Sequence, residues 1–118
     1  SALRQGLSRW NEKTHVYTHL SHLYADGSSI YTTYLFRLGS TPEETLERWR
    51  YLKAKASEAI VAAKGTISHQ HGVGVDHAPY LPAEKGALGI SALRGVLKHF
   101  DPSGVMNPGK LVRDGVMP

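Results

Sequence analysis

At 118 residues, with 41% hydrophobic and 20% charged residues, the chain has the make-up of one modest globular unit with a single small core. The absence of cysteine excludes disulfides and thiolate chemistry, and no apolar run approaches the roughly 20 residues of a membrane span. A net charge of +4, spread over dispersed lysines and arginines, argues against a nucleic-acid partner; with no signal-peptide pattern at its start, the chain reads as cytoplasmic or at most membrane-peripheral.

Residues 1–13 are polar apart from Leu3, Leu7 and Trp10, whose spacing allows a short entry helix. Across residues 14–38 the pattern turns to strands. Val16, Thr18, Leu20, His22 and Tyr24 alternate with His15, Tyr17, His19, Ser21 and Leu23, and the stretch is rich in β-branched and aromatic types. Asp26-Gly27 is a hairpin signal, because a type I′ turn needs positive φ at both central residues. With that pair as the loop, His22 falls opposite Tyr31 and Leu20 opposite Thr33, so His22 and Tyr31 share one face. A shift of one residue in the loop breaks this pairing.

Residues 40–64 read as a helix. Thr41-Pro42-Glu43-Glu44 combines a capping box, proline at the first helical position and acids in the first turn. Leu46, Trp49, the Lys53 stem, Ala56, Ile60 and Ala63 mark the expected packed face, and Gly65 ends the helix. A short strand over 66–71 follows, for an order β-β-α-β. Pro79 and Pro82 predict a loop or single turn over 76–82. A second helix is expected over 83–100, with Ile90, Leu93, Leu97 and Phe100 on one face. Gly86, Gly89 and Gly95 each lower its propensity by about 1 kcal/mol. Asp101-Pro102 stops it, and the tail has no periodicity. The fold class is therefore α+β, an antiparallel sheet of hairpin and further strand covered by helices.

The stretch with the most chemistry is Ser68-His69-Gln70-His71-Gly72-Val73-Gly74. On an extended segment His69 and His71 project to one face. Such a pair suits metal ligation, proton transfer, or no more than a polar strand surface. Imidazole favours proton transfer because it titrates near neutral pH. A zinc site needs two further ligands, with Asp76 or His77 as candidates. His22 with Tyr31 is a second candidate pair, for proton transfer or for binding an anionic oxygen. Gly72-Val73-Gly74 lacks the third glycine and the following helix of a dinucleotide fingerprint.

Taken with Asp101-Pro102-Ser103-Gly104-Val105-Met106-Asn107-Pro108-Gly109-Lys110-Leu111, this stretch resembles the C-terminal end of FAD-linked oxidases of the vanillyl-alcohol-oxidase type. The resemblance runs from the hairpin to the tail. His19-Leu20-Ser21-His22 leading through Gly27-Ser28-Ser29-Ile30-Tyr31 looks like the alkyldihydroxyacetonephosphate synthase branch, whose triple-histidine motif corresponds to His69, Gln70 and His71. The zinc-assisted 2-hydroxy-acid dehydrogenases of the family place a second histidine where Tyr31 stands and a glutamate where Gln70 stands. A phenol and a neutral amide are poor ligands for a divalent cation, so no metal is expected.

The resemblance implies one half of a ferredoxin-like cap followed by a C-terminal helical return segment, with the whole chain, 1–118, as a C-terminal cap fragment. The FAD-binding domain would be its partner and lie outside this chain, so the chain alone is expected neither to bind FAD tightly nor to be active. It further implies FAD as cofactor and a small, lipid-like or phosphorylated substrate, and it allows a homodimer. The implied reaction is exchange of an acyl for an alkyl group through a flavin N5 adduct. Two alternatives stay open, an FAD-dependent alcohol or 2-hydroxy-acid dehydrogenase and a non-catalytic ligand-binding module. By the same resemblance Tyr31, His69 and His71 are the catalytic residues. His22 and Gln70 bind substrate, and Gly72 and Asn107 lie against the cofactor. The middle position of the histidine motif is the departure, since Gln70 cannot exchange a proton as an imidazole does.

Overall fold

The computed structural model describes Gln5, residues 8–10 and residues 15–112, which divide into two compact units, Ser1–Ala59 and Ile60–Pro118. Most of the expected entry helix over 1–13 lies outside the described residues. Within them the order is β1 (His15–Tyr24), β2 (Gly27–Leu35), α1 (Pro42–Ala62), α2 (Gly74–His77), a 3-10 turn (Ala78–Tyr80) and α3 (Leu81–Phe100). Two antiparallel strands with helices make an α+β fold.

In the first unit β1 and β2 pair from His15 opposite Leu35 to Tyr24 opposite Gly27. The loop is therefore Ala25-Asp26, and the expected Asp26-Gly27 turn is corrected. Neither residue of that dipeptide takes positive φ, which the type I′ geometry would need. One strand face packs on α1, where Val16, Tyr34 and Phe36 join Trp10 and Ala56 around Leu52, which is 0% exposed. The stripe of α1 that turns inward is Thr45, Arg48, Trp49, Leu52 and Ala56, the i, i+3, i+4, i+7 spacing of a packed face. Leu46, Ile60 and Ala63, expected on that face, are exposed. The helix carries apolar residues around more of its circumference than one hairpin covers.

The capping box of α1 is present. Glu44 N–H donates to Thr41 Oγ1 at 3.2 Å, while Ser40 N–H donates to the Glu44 carboxylate at 2.6 Å. Gly39 stands so close to this turn that an added Cβ would lie 2.6 Å from Glu44 Cβ, so no larger residue fits there without moving the cap. At the other end, Lys64 N–H donates to Val61 O and Gly65 N–H to Ile60 O, both at 2.9 Å. This is a Schellman closure, and Lys64 (φ 56°) rather than Gly65 takes the left-handed conformation.

The second unit is built on Ile67, Leu81 and Ile90, with Val61, Val73, Tyr80, Leu93, Leu111 and Val112 packed against them. The tail, although aperiodic, is thus anchored by its Leu111 and Val112. Two expectations are corrected here. Residues 66–71 form bends and not a strand. Residues 76–82 are largely helical, because Pro79 and Pro82 each sit in the first turn of their element, where the missing N–H has no partner to lose. α3 breaks its helical geometry at Gly86 (φ 66°, ψ 173°), a conformation that favours glycine. Leu97 and Phe100, expected inward, are exposed, whereas Ile90 is buried.

Candidate functional site

The uncovered face of the hairpin concentrates imidazole and phenol. Directly opposed residues share a face, so His19 and Tyr31 stand together, as do Tyr17 with Thr33 and His15 with Leu35. A β-bulge between Leu20 and His22 leaves Ser21 out of the pairing and sets His22 opposite Ser29, on the same face as Tyr31. Three histidine–tyrosine stacks result. The ring centroids of His19 and Tyr31 lie 5.4 Å apart with 25° between planes, those of His15 and Tyr17 6.2 Å apart, and those of His22 and Tyr24 6.4 Å apart.

The expected cross-strand partner of Tyr31 is thereby corrected. It is His19, not His22, because the two-residue loop begins one position earlier and the bulge shifts the register again. Sequence reasoning missed His19, although its i, i+3 relation to His22 becomes meaningful once a bulge is allowed. His22 itself is half-buried. Its ring Nδ1 lies 2.9 Å from Ser21 Oγ and 3.3 Å from Ser29 Oγ.

In the second unit His69, Gln70, His71 and Gly72 lie on an exposed loop. The expectation that His69 and His71 project together by strand alternation fails, since no strand is there. The loop has its own closure. Ser68 Oγ–H donates to His71 O at 2.7 Å, and Gln70 takes the left-handed conformation at φ 58°. Its entry is held from α3, where the Glu84 carboxylate accepts the Ile67 N–H at 2.9 Å. Glu84 is a second residue that sequence reasoning missed, its only signal being an acid in a first helical turn. His77, weighed as a metal ligand, is half-buried and has Nδ1 3.2 Å from Val73 O. Among the described residues no three histidine, aspartate or glutamate side chains come together in a way that would hold a metal ion.

The Ile67 N–H bond, followed by the Lys85 ammonium, holds the Glu84 carboxyl below its ordinary value of 4.5. A carboxylate depressed by folding adds stability above its unfolded value and loses that contribution as the pH falls below 4.5 through the folded value. The protection of the Ile67 amide, its exchange rate taken relative to the intrinsic rate at each pH, is therefore expected to fall on acidification through that window. Glu84→Gln, which keeps an acceptor oxygen but cannot titrate, should flatten the dependence. Identical acid limbs in the two proteins would show that Glu84 does not hold the loop.

Gly72 and Asn107 were expected against a cofactor. Both are exposed, and a Cβ added at Gly72 would meet nothing within 4 Å, so the chain leaves an open approach to the backbone there. Asn107 sits at φ 49° in a loop closed by Asp101, whose two carboxylate oxygens accept the N–H groups of Val105 (3.1 Å) and Met106 (2.8 Å). These features fit a flat cofactor laid against the surface, not one enclosed by this chain.

The family described as FAD linked oxidases, C-terminal domain, matches residues 2–111. The chain belongs to this family. FAD is the family's cofactor. Among curated relatives, alkyldihydroxyacetonephosphate synthase of Trypanosoma brucei brucei is 32% identical over 80% of the chain and 15% of its own length. The synthase of Dictyostelium discoideum is 30% identical over 92% of the chain and 16% of its own length. Glycolate oxidase subunit GlcD of Bacillus subtilis is 36% identical over 58% of the chain and 15% of its own length. The chain thus spans about a sixth of the length of these FAD-linked relatives. No solved structure matches it significantly. Among the described residues of this family member, no helix is long and apolar enough to cross a membrane.

Proposed function

We propose that this chain is the C-terminal, substrate-handling part of an FAD-dependent enzyme of the alkyldihydroxyacetonephosphate synthase type, which replaces an acyl group on a phosphorylated ketone by an alkyl group. The observation that carries the reading is the His19–Tyr31 stack on an exposed strand face, in a chain similar to two such synthases over most of its length. When bound, FAD would supply a group able to accept and return an electron pair at the substrate carbon. The residues of this chain would handle the oxygens and protons around it.

Exchange of an acyl for an alkyl group releases a carboxylate and takes up an alcohol, so the alcohol's proton must be carried off. Imidazole is the side chain suited to that near neutral pH, and His69 and His71 are the acceptors in this reading. Tyr31 offers a phenolic O–H to the ketone oxygen and can return a proton to it. His22 and the Gln70 amide are hydrogen-bond donors for anionic oxygens of the substrate. Gly72 and Asn107 would lie against FAD, the first through its unobstructed backbone.

The FAD-binding part of the same enzyme is the partner in this reading. Leu88 (84% exposed), Ala92, Val96 and Phe100 (77% exposed) recur every four residues along α3, and Val105 and Met106 are exposed in the loop beyond it. A contiguous row of exposed apolar side chains is the kind of surface that a second protein part covers, which supports this reading.

An FAD-dependent alcohol or 2-hydroxy-acid dehydrogenase is the second reading, favoured by the similarity to glycolate oxidase subunit GlcD. The complete protein is expected to carry a flavin absorption spectrum and to exchange labelled fatty alcohol into an acyl-dihydroxyacetone phosphate. Dye reduction by a 2-hydroxy acid without alcohol exchange would transfer the assignment to the dehydrogenase. A protein that takes up no flavin would overturn both.

A further inference from the structure

α3 breaks at Gly86, and the break decides what its first turn can reach. Leu81 and Ile90 belong to one buried cluster with Ile67. In an unbroken helix the step from Leu81 to Ile90 would amount to about two and a half turns and set them on opposite sides. A core on one side would take one of them and leave the other in solvent. The change of direction at Gly86 removes that conflict. Before it, Leu81 and Glu84 share a face, as residues three positions apart on a helix do. After it, Ile90 and Leu93 share another, and both enter the cluster.

The first of these faces meets Ile67 twice. Leu81 packs in the cluster with it, and the Glu84 carboxylate accepts its N–H at 2.9 Å. Ile67 leads directly into Ser68, whose hydroxyl closes the loop on His71 O at 2.7 Å. What reserves position 86 for glycine is conformation and not room. Its φ of 66° and ψ of 173° lie in a region essentially closed to residues with a Cβ, yet a Cβ added there would meet nothing within 4 Å.

We infer that Gly86 is a positioning residue of the proposed reaction: by breaking α3 it turns Leu81 and Glu84 onto Ile67, and so fixes the base of the loop that carries His69, Gln70 and His71. The link to catalysis rests on the proton-handling role proposed for that loop. The placement itself is read without any turnover.

The test compares the complete protein as wild type, Gly86→Ala, Gly95→Ala and Glu84→Ala. Alanine is the best helix former and is strained in the Gly86 conformation, so Gly86→Ala drives α3 toward a continuous helix and turns Glu84 away from Ile67. Hydrogen exchange, taken relative to the intrinsic rate, is expected to show the protection of the Ile67 amide lowered about 10-fold, the effect of one hydrogen bond to a charged group. Residues 92–100 should stay protected as in the wild type, and the acid dependence at Ile67 should vanish with the Glu84 contact. The kcat for alcohol exchange should fall by up to about 100-fold, the cost of a misplaced group.

Gly95 lies in the same helix without positive φ, and its added Cβ would meet nothing within 4 Å, so Gly95→Ala should match the wild type in both measurements. Glu84→Ala keeps the break and removes only the contact. It should lose protection at Ile67 and lower kcat in the same direction, and it carries the test if Gly86→Ala does not fold. Wild-type Ile67 protection in Gly86→Ala, or wild-type kcat in a variant that has lost that protection, would overturn the inference. If the synthase assignment fails, the wild type itself exchanges no alcohol while the Ile67 pattern stands, so the two failures can be told apart.

Discussion

Tyr31→Phe in the complete flavoprotein is expected to lower kcat by about 10²- to 10⁴-fold, the usual contribution of a positioned proton donor, while flavin content and thermal stability stay at wild-type values. Tyr31 is 53% exposed, and no core residue depends on its hydroxyl, so the O–H contributes little to folding. Phenylalanine keeps the ring that stacks on His19 and the strand pairing that the backbone makes. What disappears is one proton on one oxygen. Steady-state kinetics at saturating substrate, alongside the flavin absorbance of the same preparation, measure the effect. A variant with wild-type kcat would remove Tyr31 from the chemistry and leave the His69–His71 loop to account for proton handling alone.

The largest effect on stability is expected at Leu52, the most enclosed side chain of the first unit. Leu52→Ala removes the side chain on which Val16, Tyr34, Phe36, Trp10 and Ala56 converge. Such truncations cost about 2–5 kcal/mol, through lost transfer energy together with the cavity that remains. The hairpin packs on α1 around this side chain, so this cost falls on the strands that carry His19, His22 and Tyr31. A complete protein of several parts does not unfold in one step, so the measurement is hydrogen exchange at the amides of β1, β2 and α1. Exchange there should rise by more than an order of magnitude, consistent with about 1.4 kcal/mol per factor of ten. An unchanged pattern would mean that the strands are held by something other than this contact.

These two side chains differ in how far they could be read beforehand. Tyr31 was singled out from the strand pattern and from the resemblance of the residues before it. Leu52 does not stand out in the same way, because the expected stripe of Leu46, Trp49, Lys53, Ala56, Ile60 and Ala63 shares only Trp49 and Ala56 with the face that turns inward. Both stripes are apolar enough to be buried, and helical periodicity alone does not choose between two adjacent faces. The choice was made by which face met Val16 and Tyr34. The capping box at Thr41 and Glu44 behaved differently, because every atom it needs lies within one turn of chain.

The same division runs through the candidate site. His22 and Tyr31 were correctly placed on one hairpin, but as direct partners, which they are not. Register depends on the number of residues between paired positions, and a bulge adds one that has no sequence mark except a serine among alternating residues. At residues 66–71 the β-branched entry of Thr66 and Ile67 suggested a strand. Ile67 is instead buried beside Leu81 and Ile90, and its N–H is taken by Glu84, 17 positions along the chain, where a strand would need a neighbouring strand.

By itself the sequence determined the α+β class, the helix start at Thr41, the stop at Asp101 and the motifs that tie the chain to FAD-linked oxidases. Each of these is local, carried by residues within a few positions of one another. The tertiary structure alone decided the His19–Tyr31 stack, the serine contacts at His22 and the looped form of the His69–His71 stretch. Those arise from pairing and packing between residues far apart in the chain, where a shift of one position moves a side chain to the opposite face.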